Sequence, residues 1–408
     1  MAVPGKTAKP AVVECTSSPF FGLWKPQAHL KHLFYGPSCV SKYLETVLPS
    51  DASRVFIVTG ATLAKKTPLV HEVETLLGAH HAGTFAGVRQ HGPVADVEEA
   101  LGLVLDDASI DTVLSLGGGS PIDAAKTISH RVHEQRGHFL THIAIPTTLS
   151  AAECTAGGGY TGPDGTKVGF MAPGMGVAAI FYDPLFSRYT PRRLLLATGI
   201  RAVDHAVETA YHPTSSEMPW KALACWALQV LFEELPRLAN SSSAQPSGHG
   251  QGQDGVHGYH DSLTRLFLAA YATSGLRGAN FTGNMGLSHA LGQALGSPYG
   301  ISHGETSCLT LAPVIRLKAE LDVEDARCIS RLLLPATGKT GSGNVLQDAM
   351  QFADDVAELV QRLDLRPLPL SRRGVGHDQV PVIVQRAMRG SDNEKLRLAL
   401  TALVENLL

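Results

Sequence analysis

No two cysteines in this 408-residue chain are spaced as CxxC; the six, Cys15, Cys39, Cys154, Cys225, Cys308 and Cys328, are scattered. That excludes a thiolate clamp for a metal and a dense disulfide frame, and it fits a reduced setting. No apolar run is long enough to span a bilayer, and nothing near Met1 combines a basic head, an apolar core and a cleavage site, so a cytoplasmic location is expected. Charge of one sign is also missing: the net value is −3, which leaves no electrostatic reason to expect nucleic acid or an anionic membrane as partner. Neither GxGxxG nor a P-loop occurs. What remains is a chain 44% hydrophobic and 17% charged, enough to build an ample core in two domains around a small-molecule ligand.

The segment TVLSLGGGSPIDAAK, Thr112 to Lys126, joins a buried apolar strand to a glycine-rich turn and a helix start. Gly117, Gly118 and Gly119 let the main chain pass close to a pyrophosphate. Ser120 is read as the cap of a helix whose first N–H groups and dipole favour an anion. Asp123 and Lys126 on the first turns strengthen a nucleotide reading over a bland αβ turn.

The first half alternates short β-rich runs with amphipathic stretches. RVFIVTG (Arg54 to Gly60), DTVLSL (Asp111 to Leu116) and THIAIP (Thr141 to Pro146) predict a parallel sheet with crossover helices. Ligands of such sheets bind at strand C-termini, which places GGGS and the turn after THIAIP in one crevice. From about Leu185 the pattern becomes long helical periodicity. The expected architecture is α/β plus α: an irregular extension over 1–33, a dinucleotide-binding α/β domain over 34–184, and an all-helical domain over 185–408. Residues 240–261 are polar and Gly/Ser-rich and read as an exposed loop whose His249, His257 and His260 are either solvated or an adventitious metal site. Phe20, Phe21 and Trp24 are expected to pack the extension onto the surface.

GGGSPIDAAK, IPTTLSAAECT (Ile145 to Thr155), YDP (Tyr182 to Pro184), GIRAVDHAVETAY (Gly199 to Tyr211) and GLSHALGQALGSPYGISHGE (Gly286 to Glu305) together resemble the iron-containing alcohol dehydrogenase family. Within it they are most similar to the maleylacetate reductase branch, whose PTTYAGSEMT has the spacing seen here. The resemblance runs from about Phe34 almost to the C-terminus. It implies a dehydroquinate synthase-like, Rossmann-like nucleotide domain, a homodimer, and an NAD or NADP cofactor. Thr147 and Thr148 would meet the nicotinamide half and Lys167 the phosphates and ribose. His91 to Pro93 matches a turn with a shaping role. Gly60 stands where NAD-preferring relatives carry an acid, and Lys65 and Lys66 follow it, which leans toward NADPH.

In metal-binding relatives an Asp and three histidines hold iron or zinc; the matching residues here are Arg201, His205, His289 and His303. Three imidazoles can hold zinc, but a unit positive charge about 5 Å from a divalent ion costs roughly 7 kcal/mol at an effective dielectric of about 20. Metal is therefore expected to be absent, with Arg201 either acting as the fixed cation toward a carboxylate or carbonyl oxygen or pairing with Asp204 or Glu208. The maleylacetate reductases share the departure, with Asn at the Asp position and no metal required. A second histidine expected on the nicotinamide side is Gln293, which can orient a substrate but cannot exchange a proton. Two further readings stay open: a non-redox cyclase, lyase or isomerase on the same scaffold, and a metal-dependent alcohol dehydrogenase.

Overall fold

The computed structural model describes residues 23–241 and 253–408. Among the described residues there are eight strands: β1 (His32–Tyr35), β2 (Val55–Thr59), β3 (His81–Phe85), β4 (Thr112–Gly117), β5 (Thr141–Pro146), β6 (Gly157–Thr161), β7 (Lys167–Met171) and β8 (Ala179–Tyr182). Six form one sheet in the order β1-β8-β5-β4-β2-β3, parallel throughout, while β6 and β7 form a separate antiparallel hairpin. β2 and β4 are buried along their whole length, as strands covered on both faces must be. Val55 and Ile57 point into a cluster with Leu69, Val73 and Leu77; Phe56 and Val58 point into another with Val97, Val104 and Ile128.

The helices of this half are α1 (Cys39–Tyr43), α2 (Ala61–Lys66), α3 (Leu69–Leu77), α4 (Val94–Asp106) and α5 (Gly119–Arg136). After β2 the chain turns outward to β3, and after β4 it turns the opposite way to β5. The C-termini of β2 and β4 therefore flank the point where strand order reverses, the natural ligand crevice of such a sheet. Gly60 and Gly117 sit at those two termini.

Every further element after β8 among the described residues is helical: α6 (Pro184–Ser187), α7 (Arg192–Tyr211), α8 (Ala222–Asn240), α9 (Gln253–Ser274), α10 (Leu287–Tyr299), α11 (His303–Leu321), α12 (Val323–Ser330), α13 (Leu333–Thr337), α14 (Val345–Arg362), α15 (Val380–Met388) and α16 (Glu394–Asn406), with short irregular turns between some of them. The α/β plus all-helical fold class is thus what forms. α7 lies at the centre of the helical half, with fifteen of its twenty residues buried. One apolar cluster runs from Ile180 and Tyr182 of the sheet into α7, α8, α9 and α14, and fastens the two halves together.

The expected loop over 240–261 needs correcting: α9 begins at Gln253. Tyr259, buried in the central cluster, and Leu263 extend the helix toward its N-terminus despite the glycines, because packing outweighs propensity. His260 is thus helical and His257 lies in the same helix, whereas His249, like Phe20 and Phe21, lies outside the described residues. Trp24 does dock, donating from Nε1 to Leu276 O at 2.9 Å. No helix among the described residues is long and apolar enough to cross a membrane.

Candidate active site

The glycine turn is shaped by two physical demands. Gly117 has φ of +139°, a conformation that disfavours any side chain, and a Cβ on Gly118 would stand 3.1 Å from Thr148 Cγ2. The turn therefore packs against the Thr147–Thr148 loop, and Thr147 N donates to Gly117 O at 2.9 Å. Both loops face one crevice, as expected.

Two expectations about this turn need correction. Ser120 is not the helix cap; Gly118 is, in extended conformation and without a side-chain hydrogen bond. Ser120 Oγ instead accepts from His91 N at 3.1 Å, which ties the His91 turn to the cradle. The first N–H groups of α5 consequently have no side-chain cap and stay available to an anion. Lys126 turns away from the cradle, fully buried, and donates to Ala152 O at 2.6 Å and Gly157 O at 2.7 Å. Asp123 does face the hairpin, where Lys167 Nζ lies 3.5 Å from its carboxylate and donates to Gly159 O at 3.1 Å. Gly60 abuts Val88 O, and Lys65 and Lys66 are exposed on the last turn of α2. A cradle that a Cβ would fill, an uncapped helix start and neighbouring lysines fit a dinucleotide.

Opposite the cradle, α7, α10 and α11 bring Arg201, His205, His289 and His303 to one region. Arg201 Nη1 donates to Asp204 Oδ2 at 3.3 Å and to Ser307 Oγ at 3.2 Å. The guanidinium thus pairs with an acid one turn along its own helix, and among the described residues its Nε and Nη2 make no hydrogen bond. The side chain is 12% exposed, so it is not wholly sealed. Gly292 makes the room, since a Cβ there would lie 3.5 Å from Arg201 Nη1 and 3.1 Å from Thr306 Oγ1.

Behind Arg201 lies a fully buried acidic pair. Asp204 Oδ2 also accepts from Ser307 Oγ at 2.6 Å and Ser288 Oγ at 3.0 Å, while Glu208 Oε1 accepts from Ser288 N at 2.7 Å. Burial alone pushes the Asp204 carboxyl up, but His289, Arg201 and Ser307 together hold it below its ordinary value. The remaining oxygens converge on His289 Nδ1, Glu208 Oε2 at 2.5 Å and Asp204 Oδ1 at 3.6 Å, and no hydrogen bond of good geometry satisfies any of the three atoms.

This Asp204–Glu208–His289 group is the only set of His, Cys, Asp or Glu drawn close enough to share an ion among the described residues. The four family metal positions do not form such a set: Arg201 offers no lone pair, and the three imidazoles are not gathered. Arg201 stands beside the acidic group, bonded to Asp204. Arg201 thus takes the family's ligand count down by one, while Asp204, Glu208 and His289 offer three ligand atoms that could hold an ion.

His205 and His289 rings lie 4.7 Å apart, and His303 meets His91 edge-on at 5.3 Å. Burial first, and then neighbouring positive groups, pushes the His205 and His303 imidazoles well below the usual histidine range. Both are neutral at pH 7. Gln293 stands one turn beyond His289 on α10, exposed, with Arg389 bonded to its side-chain oxygen at 3.0 Å. Sequence reasoning gave His91 only a shaping role and missed Arg389, which no local motif announces. A separate hollow of about 500 Å³, lined among others by Gln229, Phe232 and Leu334, carries none of these groups.

Residues 31–184 match the family described as iron-containing alcohol dehydrogenase, and residues 261–404 match the C-terminal domain of the Fe-containing alcohol dehydrogenase family. The chain is 30% identical to Dehydrogenase ALT3 of Alternaria alternata over 67% of its own length and 75% of that protein. It is 24% identical to Maleylacetate reductase 1 of Cupriavidus pinatubonensis, covering 84% and 86% of the two chains. The crystal structure of maleylacetate reductase from Rhizobium sp. shares the fold, with a TM-score of 0.71 at 20% identity, covering 95% of this chain and 99% of that one.

Proposed function

Because the chain belongs to the iron-containing alcohol dehydrogenase family and is an NAD(P)-dependent oxidoreductase, we propose that it reduces an activated C=C or C=O of a small oxo-acid without a metal ion. The observation that carries this reading is Arg201, a guanidinium at the family's metal-ligand position, paired through Nη1 to Asp204 and still 12% exposed. Similarity to maleylacetate reductases makes maleylacetate the first substrate to try.

When bound, the nicotinamide supplies the hydride. The chain's own residues do the rest. The free edge of Arg201 orients a substrate carboxylate or stabilises negative charge on a carbonyl or enolate oxygen, in a site whose neutral histidines leave that charge unscreened. His289, with Nδ1 against Glu208 and Asp204, holds the proton that completes reduction; neutral His205 and His303 position the substrate. Gly117, Gly118, Gly119, Thr147, Thr148 and Lys167 line the nucleotide side, and exposed Lys65 and Lys66 beyond Gly60 support NADPH over NAD.

The five described cysteines are free thiols, in keeping with a cytoplasmic enzyme. A homodimer completes the reading. Purified protein given NADPH and maleylacetate, or other small oxo-acids, should show loss of reduced nicotinamide absorbance. Turnover of substrate with that absorbance unchanged would favour a non-redox catalyst and overturn the proposal.

A further inference from the structure

Arg389 ends α15 in the left-handed conformation, φ +48°, which a non-glycine residue adopts only when something holds it there. Its guanidinium is fastened to α10 and to the segment just before it. Nη1 donates to Met285 O at 2.8 Å and Nη2 to Gln293 Oε1 at 3.0 Å. Arginine has donors and no acceptor, so the Gln293 atom facing it must be the oxygen, whichever way the amide is drawn. The NH₂ of Gln293 is thereby turned away from Arg389.

Gln293 follows His289 by one turn on the same face of α10, so an exposed amide whose oxygen is held by Arg389 stands next to the histidine along the helix. Asp204 and Glu208 show no exposed side-chain surface, and their unpaired oxygens point at His289. With the acids sealed, the donors left near His289 are the guanidinium of Arg201, which shares Asp204 with it, and the amide of Gln293 one turn along α10. The Arg389 guanidinium sits close enough to feel the charges of Glu208 and Arg201.

We propose that Arg389 is a positioning and selectivity residue: by fixing the Gln293 amide as a donor, it makes the enzyme prefer a substrate that presents a carboxylate at that point over the same molecule with the carboxylate esterified. The inference rests on the reductase reading and deepens it. A lysine at 389 can still donate to Gln293 Oε1, whereas alanine cannot.

The test compares wild-type protein, Arg389→Ala and Arg389→Lys in full-length form, assayed with NADPH and the oxo-acid as free acid and as methyl ester. Arg389→Ala should raise KM for the acid roughly ten- to a hundredfold, leave kcat and KM for the ester nearly unchanged, and leave the Kd for NADPH unaltered. Arg389→Lys should recover most of the loss. Equal rises for acid and ester, or no change for either, would overturn the proposal, and a thermal melt of each variant identifies loss of folding.

If no oxo-acid is reduced, the reductase reading falls, and the arginine is then judged alone by calorimetric titration with succinate and dimethyl succinate. Preference for succinate that Arg389→Ala abolishes and Arg389→Lys restores supports the role. No preference, or one indifferent to position 389, ends it.

Discussion

Arg201 and Asp204 form a buried ion pair in which each side chain has a different second duty. Removing one partner leaves the other charged and unpaired in a dry site, a loss of about 3–5 kcal/mol. Arg201→Met is therefore expected to lower stability by that order in urea denaturation. Adding Asp204→Asn should return most of it while activity stays lost, because the guanidinium is gone. Recovery of activity in the double variant would show that Arg201 serves only to neutralise its neighbour. At this scale the sequence was informative where a residue sits inside a motif, as Arg201, His205, His289 and His303 do. It misled where a neighbour took the expected place: Gly118, extended, caps α5 and releases Ser120 to bind His91. Arg389 was invisible, since it meets Gln293 across ninety-six positions of chain.

Elements were legible in proportion to how strongly they alternate or repeat. β2, β4 and β5 are short runs rich in Val, Ile and Leu, and α7, α14 and α16 are long segments with helical periodicity. β3 reads HAGTF and β6 reads GGGYT, too poor in branched residues to announce strands, and they form because a neighbour supplies the pairing. The central sheet also carries a titration. His142 on β5 is buried with Nε2 2.8 Å from Ser115 Oγ, and burial, aided by the charge of Lys126, brings its pKa down to about 3. The folded state keeps it neutral, while the unfolded chain takes up a proton below its ordinary value of 6.5. Its contribution is full above that value and lost as pH falls toward the folded one, about 2 kcal/mol by roughly pH 5. Denaturation of wild type and His142→Gln at neutral and mildly acidic pH should show a smaller loss in the variant by about that amount; identical pH dependence would contradict it.

For the whole molecule, the arrangement that matters is a cradle of backbone N–H groups on one side of a crevice and a cluster of histidines, arginine and sealed acids on the other. The order of motifs along the chain made both halves legible as candidates, because each motif lies at a strand end or on a helix that the fold brings toward the switch point. It could not place the acids: Asp204 and Glu208 are ordinary helix residues until α10 closes over them. In the proposed function these acids, Arg201 and His289 serve the reaction with a proton and without a metal ion. The most direct test is elemental analysis of catalytically active protein, paired with the assay before and after exhaustive chelation. The account predicts iron and zinc far below one ion per chain and an unchanged rate. About one ion per chain, with activity lost to the chelator and restored by that metal, would contradict it.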